Sequence, residues 1–158
     1  MRHVTIVATS EDQGSKSQLL ARVAESALQE QGVSATLLDL REKYDAAALM
    51  AAVQEATHLI FAMPVYNFDV NARAKQVIED LPGKALEGKT VGLICQAGGN
   101  RSYMSVLSFA NSLMLDFRCW IVPRFVYATG GEFEGETPSA DVIRRVEELV
   151  AMLLKGTS

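Results

Sequence analysis

The sequence predicts a doubly wound α/β fold, a parallel sheet of five strands with helices on both faces. Three observations carry that prediction. Short apolar runs alternate with longer segments of helical period, the pattern left by repeated βαβ units. Most of the apolar runs are continuous rather than alternating, as strands covered on both faces must be. Small and polar residues follow three of those runs, at 9–18, 63–67 and 96–100, so three loops of similar chemistry leave one edge of the sheet.

Strands are expected near 3–9, 34–40, 57–63, 89–96 and 118–128. The first helix runs from about Ser15 to Gln31, with Leu20, Val23, Ala24, Ala27 and Leu28 on one face and Gly32 as its stop. A shorter, Ala-rich helix lies near 45–55. A third carries Val70, Ala74, Val77, Ile78 and Leu81 before Pro82 and Gly83 end it. The fourth spans roughly 101–116 with Leu107, Ala110 and Met114 inward. The last, 139–154, begins at a Ser139 cap and lines up Val142, Val146, Leu149 and Leu153. Right-handed crossovers then give the strand order 2-1-3-4-5 in one domain over 1–158, with its switch point between the first and third strands. Open sheets of this kind bind ligands at the carboxyl edge of the strands, where the polar loops lie.

The composition narrows the function classes. At 158 residues, 49% apolar and 22% charged, the chain is long enough to bury a sizeable core. Fifteen basic against nineteen acidic residues give a net charge of -4, which offers no footprint for nucleic acid or an anionic membrane. No apolar run approaches a membrane span. The strand pattern begins almost at once, leaving no room for a signal peptide, and a cytoplasmic location is the expectation. Cys95 and Cys119 sit in separate apolar runs without metal or redox-pair spacing and are expected to be buried, reduced thiols. His3 and His58 precede strands at the amino edge, a structural placement. Trp120 belongs to the core or to a subunit contact.

The loops carry the chemistry. Ser10, Gly14, Ser15 and Ser17 lead straight into the first helix, whose free N–H groups and partial positive charge suit a phosphate. Lys16 adds charge and Gln18 an amide donor, while plain capping by Ser15 is the competing reading. Glu11 and Asp12 oppose an anion unless they face solvent. The loop lacks the Gly-x-Gly-x-x-Gly of dinucleotide sites and the Gly-Lys-Ser/Thr of nucleoside triphosphate sites. A phospho-acceptor switch is excluded as well, because Pro64 stands where an acceptor Asp would follow the third strand. Pro64, Val65, Tyr66 and Asn67 form a rigid, partly polar turn, and Gly98, Gly99 and Asn100 allow close backbone approach. Such a set suits a phosphorylated, planar ligand, and FMN fits it best.

These motifs, in this order, resemble the NADPH-dependent FMN reductase family of flavodoxin-like proteins over nearly the whole chain. The segment from Ser10 to Leu20 is similar to the family's Ser-rich phosphate loop. Pro64-Val-Tyr-Asn67, followed by Ala74-Lys75 and Ile78-Glu79, resembles its Pro-x-Tyr signature, and Gln96-Ala-Gly-Gly99 stands in the place of its Gly-Gly loop. The resemblance implies that Ser10, Ser15, Ser17 and Gln18 hold the FMN phosphate. It implies Pro64, Val65, Tyr66 and Asn67 along the ribityl chain and ring, and Gly98, Gly99 and Asn100 at the ring edge. It further implies NAD(P)H as co-substrate, a small-molecule electron acceptor and a homodimer or homotetramer, with Arg101 and Tyr103 within reach of flavin, nicotinamide or a neighbouring subunit. The chain departs from the family where Glu11 and Asp12 replace the usual Arg of the first loop, and in the short connection from Arg41 to Ala56. A flavodoxin-like electron carrier and a ligand-free regulatory domain of the same fold are the alternatives.

Overall fold

A computed structural model describes residues 1–156. The chain runs β1 (His3–Ala8), α1 (Lys16–Glu30), β2 (Ser34–Asp39), α2 (Ala46–Glu55), β3 (His58–Tyr66), β4 (Asp69–Val70), α3 (Ala72–Asp80) and β5 (Thr90–Ala97). A 3₁₀ segment (Asn100–Ser105) then leads into α4 (Val106–Leu115), followed by β6 (Trp120–Ile121) and β7 (Val126–Thr129). A second 3₁₀ turn, a small hairpin of β8 (Phe133–Glu134) and β9 (Thr137–Pro138), and α5 (Ala140–Lys155) complete the described residues. The sheet order is β2-β1-β3-β5, with β6 and β7 both on the outer edge of β5 and parallel to it. This is the expected winding, with the last strand in two pieces.

Each strand feeds two cores because successive side chains point to opposite faces. In β3, Leu59, Phe61, Met63 and Val65 enter the core shared with α2, α3 and α4. Ile60 and Ala62 enter the core beneath α1 and α5. Helix starts are set locally: Ser15 caps α1, Asp45 caps α2 and Ser139 caps α5, each side chain accepting a backbone N–H of the first turn. The first helix buries Leu20, Ala24, Ala27 and Leu28 as expected, and the last buries Val142, Val146, Leu149 and Leu153 completely.

Four expectations are corrected. The third strand runs on through Met63, Pro64 and Val65 to Tyr66. Its last β1 partner is Ala62, so Pro64 lies where one flank of the strand is already open and a missing N–H costs no pairing on that side. The fifth strand is broken at 122–125, because Pro123 cannot continue the ladder, and the register against β5 shifts by two residues across the break. Val70 belongs to β4 rather than to the third helix. Leu107 and Met114 point outward, while Val106, Phe109, Ala110 and Leu113 are buried. That helix carries no charge and mixes Ser108, Asn111 and Ser112 with apolar residues on its outer side, so its periodicity does not single out a face.

Both thiols are buried, and burial pushes Cys95 up to about 12 and Cys119 up to about 11. Among the described residues no group of His, Cys, Asp and Glu is arranged to hold a metal. No helix among them is long and apolar enough to cross a membrane.

Gly92 of β5 sets how closely α5 approaches the sheet. A Cβ there would stand 3.4 Å from Leu149 side-chain carbons. Gly92→Val therefore overpacks this contact and should destabilise the fold by about 1–3 kcal/mol in urea denaturation. A loss within experimental error would show that the α5 layer yields freely.

Candidate functional site

The carboxyl ends of β1 and β3 are tied by one residue. Thr9, directly after β1, donates its hydroxyl to Asn71 Oδ1 at 2.8 Å, and Asn71 Nδ2 donates to the Thr9 carbonyl at 2.8 Å. The Thr9 N–H donates to the Ala62 carbonyl, and the Asn71 N–H to that of Pro64. Both side chains are buried, so these bonds are shielded from water. Asn71 stands at the start of α3 without capping it; its side chain reaches across to the first loop instead.

The first loop folds back on itself. Ser10 is fully buried and its Oγ accepts from the Asp12 N–H. Asp12 Oδ1 accepts from the Gly14 N–H, and the Asp12 carbonyl accepts from the Ser15 N–H. A chain of side chains then runs down the start of α1. Ser15 and Ser17 share a hydroxyl bond of 2.8 Å, Ser17 donates to Gln18 Oε1, and Gln18 Nε2 donates to the Ser10 carbonyl. The expected donors Ser10, Ser15, Ser17 and Gln18 are thus brought together. The Gln18 amide is already engaged by Ser10 and by Asp39 Oδ1, which makes it a brace for the loop.

The two acids have their own partners. Glu11 pairs with Arg73 of α3, and Arg73 also sits 4.7 Å over the Tyr44 ring. The Tyr44 hydroxyl donates to Asp80; burial first, and then Asp80, push its pKa to about 12. The cation beside the loop comes from the end of β2. Arg41 forks onto both oxygens of Asp39 and donates Nη1 to the Gln13 carbonyl at 3.0 Å. Burial would raise the Asp39 carboxyl, but hydrogen bonds from Arg41 and Gln18 outweigh it and hold the group below its ordinary value. Lys16 turns away, lying 5.1 Å over the Phe133 ring.

At the end of β3, Val65 pairs with Val70 and Tyr66 with Asp69, closing a two-residue hairpin. Its turn residues Asn67 and Phe68 have φ of 51° and 61°. Two positive φ values in sequence make a primed turn, for which Asn-Gly is the usual pair. A bulky side chain in that region carries strain of about 1–3 kcal/mol. Tyr66 and Phe68 are nonetheless exposed, so packing does not compensate. Pro64 and Val65 are buried and present only backbone at the edge.

The loop after β5 is held from behind. The Tyr127 hydroxyl donates to the Gly99 carbonyl at 2.8 Å and lies 2.7 Å from Ser102 Oγ, and Tyr103 packs edge-on against the Tyr127 ring. Gly99 has an extended backbone, φ -153°, that any residue adopts. A Cβ at Gly98 or Gly99 would meet no atom of the chain within 4 Å. The chain itself therefore has no use for glycine here, and the space beside it is open.

Residues 1–134 match the family model for NADPH-dependent FMN reductase. The chain belongs to the NADPH-dependent FMN reductase family. Membership makes it an oxidoreductase with FMN as cofactor and NAD(P)H as co-substrate. Among solved structures, an NADH:FMN oxidoreductase in its apo form superimposes with a TM-score of 0.86 at 16% identity, covering 100% of this chain and 91% of that one. An oxidoreductase from Corynebacterium diphtheriae gives 0.82 at 18%, covering 98% and 96%. A flavodoxin from Streptococcus pneumonia gives 0.72 at 17%, covering 98% and 99%. At these identities the likeness is one of fold. No curated protein sequence matches the chain.

Two unneeded glycines, an exposed aromatic hairpin and a capped helix start on one edge fit the flat ring and terminal phosphate of the family's cofactor. Sequence reasoning missed Asn71, Arg41 and Phe68. For Asn71 the available signal was an Asn directly before a helical run, and for Arg41 an Asp39-x-Arg41 pair at a strand end. Asn71→Ala removes both bonds to Thr9 and leaves a buried carbonyl unpaired. It should lower stability by about 1–3 kcal/mol in chemical denaturation. An unchanged midpoint would mean that the strand ends hold together without the clasp.

Proposed function

We propose that the chain is a cytoplasmic FMN-dependent NAD(P)H oxidoreductase, one domain over 1–158, that passes electrons to a small acceptor. That acceptor is a flavin, a quinone, an azo compound or a metal oxyanion, and the protein works as a homodimer or homotetramer. When bound, FMN supplies the ring that takes hydride from nicotinamide and hands electrons on.

The chain's own residues bind and orient. Ser10, Ser15 and Ser17, with the N–H groups at the start of α1, hold the phosphate. Gln18 acts one step behind them, fixing the loop's shape through the Ser10 carbonyl. Arg41 sets positive charge beside the loop, and Arg73 keeps Glu11 from opposing the anion. The backbone of Pro64, Val65 and Asn67 follows the ribityl chain, with the exposed Tyr66 side chain at the ring. Gly98, Gly99 and Asn100 would offer backbone N–H groups to the ring edge, donors suited to negative charge there. Hydride transfer between two stacked rings needs proximity and orientation, so no acid, base or nucleophile is required of the chain.

The observation that carries this reading is the pair of glycines that neither packing nor backbone geometry demands. Purified protein mixed with FMN should turn yellow and quench flavin fluorescence, and NADPH should bleach it anaerobically. A protein that leaves FMN fluorescence untouched would overturn the reading. A flavodoxin-like carrier would bind FMN and leave NADPH unoxidised. Gly99→Val should weaken FMN binding tenfold or more, about 1.4 kcal/mol, while leaving the melting temperature of the FMN-free protein unchanged. Equal affinity in the variant would remove Gly99 from the site.

A further inference from the structure

We propose that Phe68 is the contact for the electron acceptor, and that this acceptor is a flat, uncharged conjugated ring of the quinone class, not a metal oxyanion. Phe68 is the second residue of the turn between β3 and β4 and sits at φ 61°. That backbone region suits Gly and Asn and strains a Phe. The ring gains no packing in return, being 66% exposed. A bare ring held under backbone strain has its use in something outside the chain.

The turn is presented from a fixed base. Val65 pairs with Val70, the Asn71 N–H donates to the Pro64 carbonyl, and Asp69 Oδ1 accepts from the Val70 N–H at 2.8 Å. β4 lies against the 3₁₀ segment Asn100–Ser105. Tyr66 on one leg of the hairpin is 51% exposed, and Tyr103 of that segment 59%. Three exposed aromatic side chains therefore stand on the two loops that leave β3 and β5, whose ends pair as Pro64 and Gln96. Charge then selects among acceptors. Residues 62–71 carry one charge, Asp69, and residues 96–105 carry one, Arg101. The two cancel, so these loops hold no excess of cations to draw in a metal oxyanion. A flat neutral ring is favoured instead, because stacked or edge-on contact with aromatic side chains adds to the apolar area it buries. A quinone takes a hydride equivalent that originates in NAD(P)H, and one proton from water. NAD(P)H, a proton and quinone thus become NAD(P)+ and hydroquinone.

This assignment rests on FMN occupying the site as proposed above, so FMN loading is measured first by absorption. The probes are menadione, a small uncharged naphthoquinone, and chromate. Loaded wild type should reduce menadione with the higher kcat/KM, by tenfold or more. With no NADPH present, saturation-transfer NMR should show menadione on the loaded protein. Phe68→Asn removes the ring and keeps the turn, since Asn tolerates positive φ. It should weaken menadione binding about tenfold and change KM more than kcat, with FMN affinity within twofold. Phe68→Tyr should retain menadione binding. The FMN-free Phe68→Asn protein should melt no lower than wild type, because the strain is relieved. A loaded protein that prefers chromate, or a Phe68→Asn variant with wild-type menadione affinity, would overturn the assignment and leave FMN binding standing. So would weaker FMN binding or a lower melting temperature in that variant, which would give Phe68 to the cofactor or to the fold. A protein that binds no FMN would overturn both.

Discussion

The reciprocal hydrogen bonds between Thr9 and Asn71 are the constraint on which the rest of the edge depends. β1 ends at Ala8, opposite Ala62, while β3 continues to Tyr66. Past that point the two strands share no ladder, and their loops would be free to splay. Asn71 closes the gap by serving both as donor and acceptor for one residue of the first loop, and its own N–H returns to Pro64. Because the pair is buried, each bond lost leaves a desolvated group behind. The crevice of a doubly wound sheet is thus given a fixed width by a single amide.

Around this clasp each acid of the first loop has its own partner. Glu11 pairs with Arg73, and the exposed Asp12 accepts from the Gly14 N–H. Arg41 reaches the same loop from β2, anchored by Asp39. Positive charge thus reaches the first loop from the neighbouring strand end. The link runs through packing: Arg41 can lie there because β2 pairs in register with β1, Asp39 opposite Ala8.

Most of the fold was legible because it rests on local signals. Continuous apolar runs, the caps Ser15 and Ser139, and Gly32 after the first helix placed the elements within a residue or two. Prolines were the main source of error. Pro64 suggested a strand end but lies beyond the last β1 partner, and Pro123 hid inside an apolar run that looked unbroken. The inward face of α4 was misread for a different reason: Leu107 and Val106 are equally apolar, and only tertiary contact decides between them. At the site, the serines and glycines were visible as a composition. Asn71 and Arg41 were not, because their roles depend on partners that are distant in sequence, Thr9 and Gln13. The strain at Phe68 was invisible too, since an Asn-Phe pair does not announce a primed turn.

The break at Pro123 has a consequence for the flank of the sheet. An unbroken outer strand would present a row of free amide and carbonyl groups onto which another chain could add a strand, and another onto that. Two short pieces out of register with each other offer no such template. Strand-by-strand extension is therefore disfavoured on this flank.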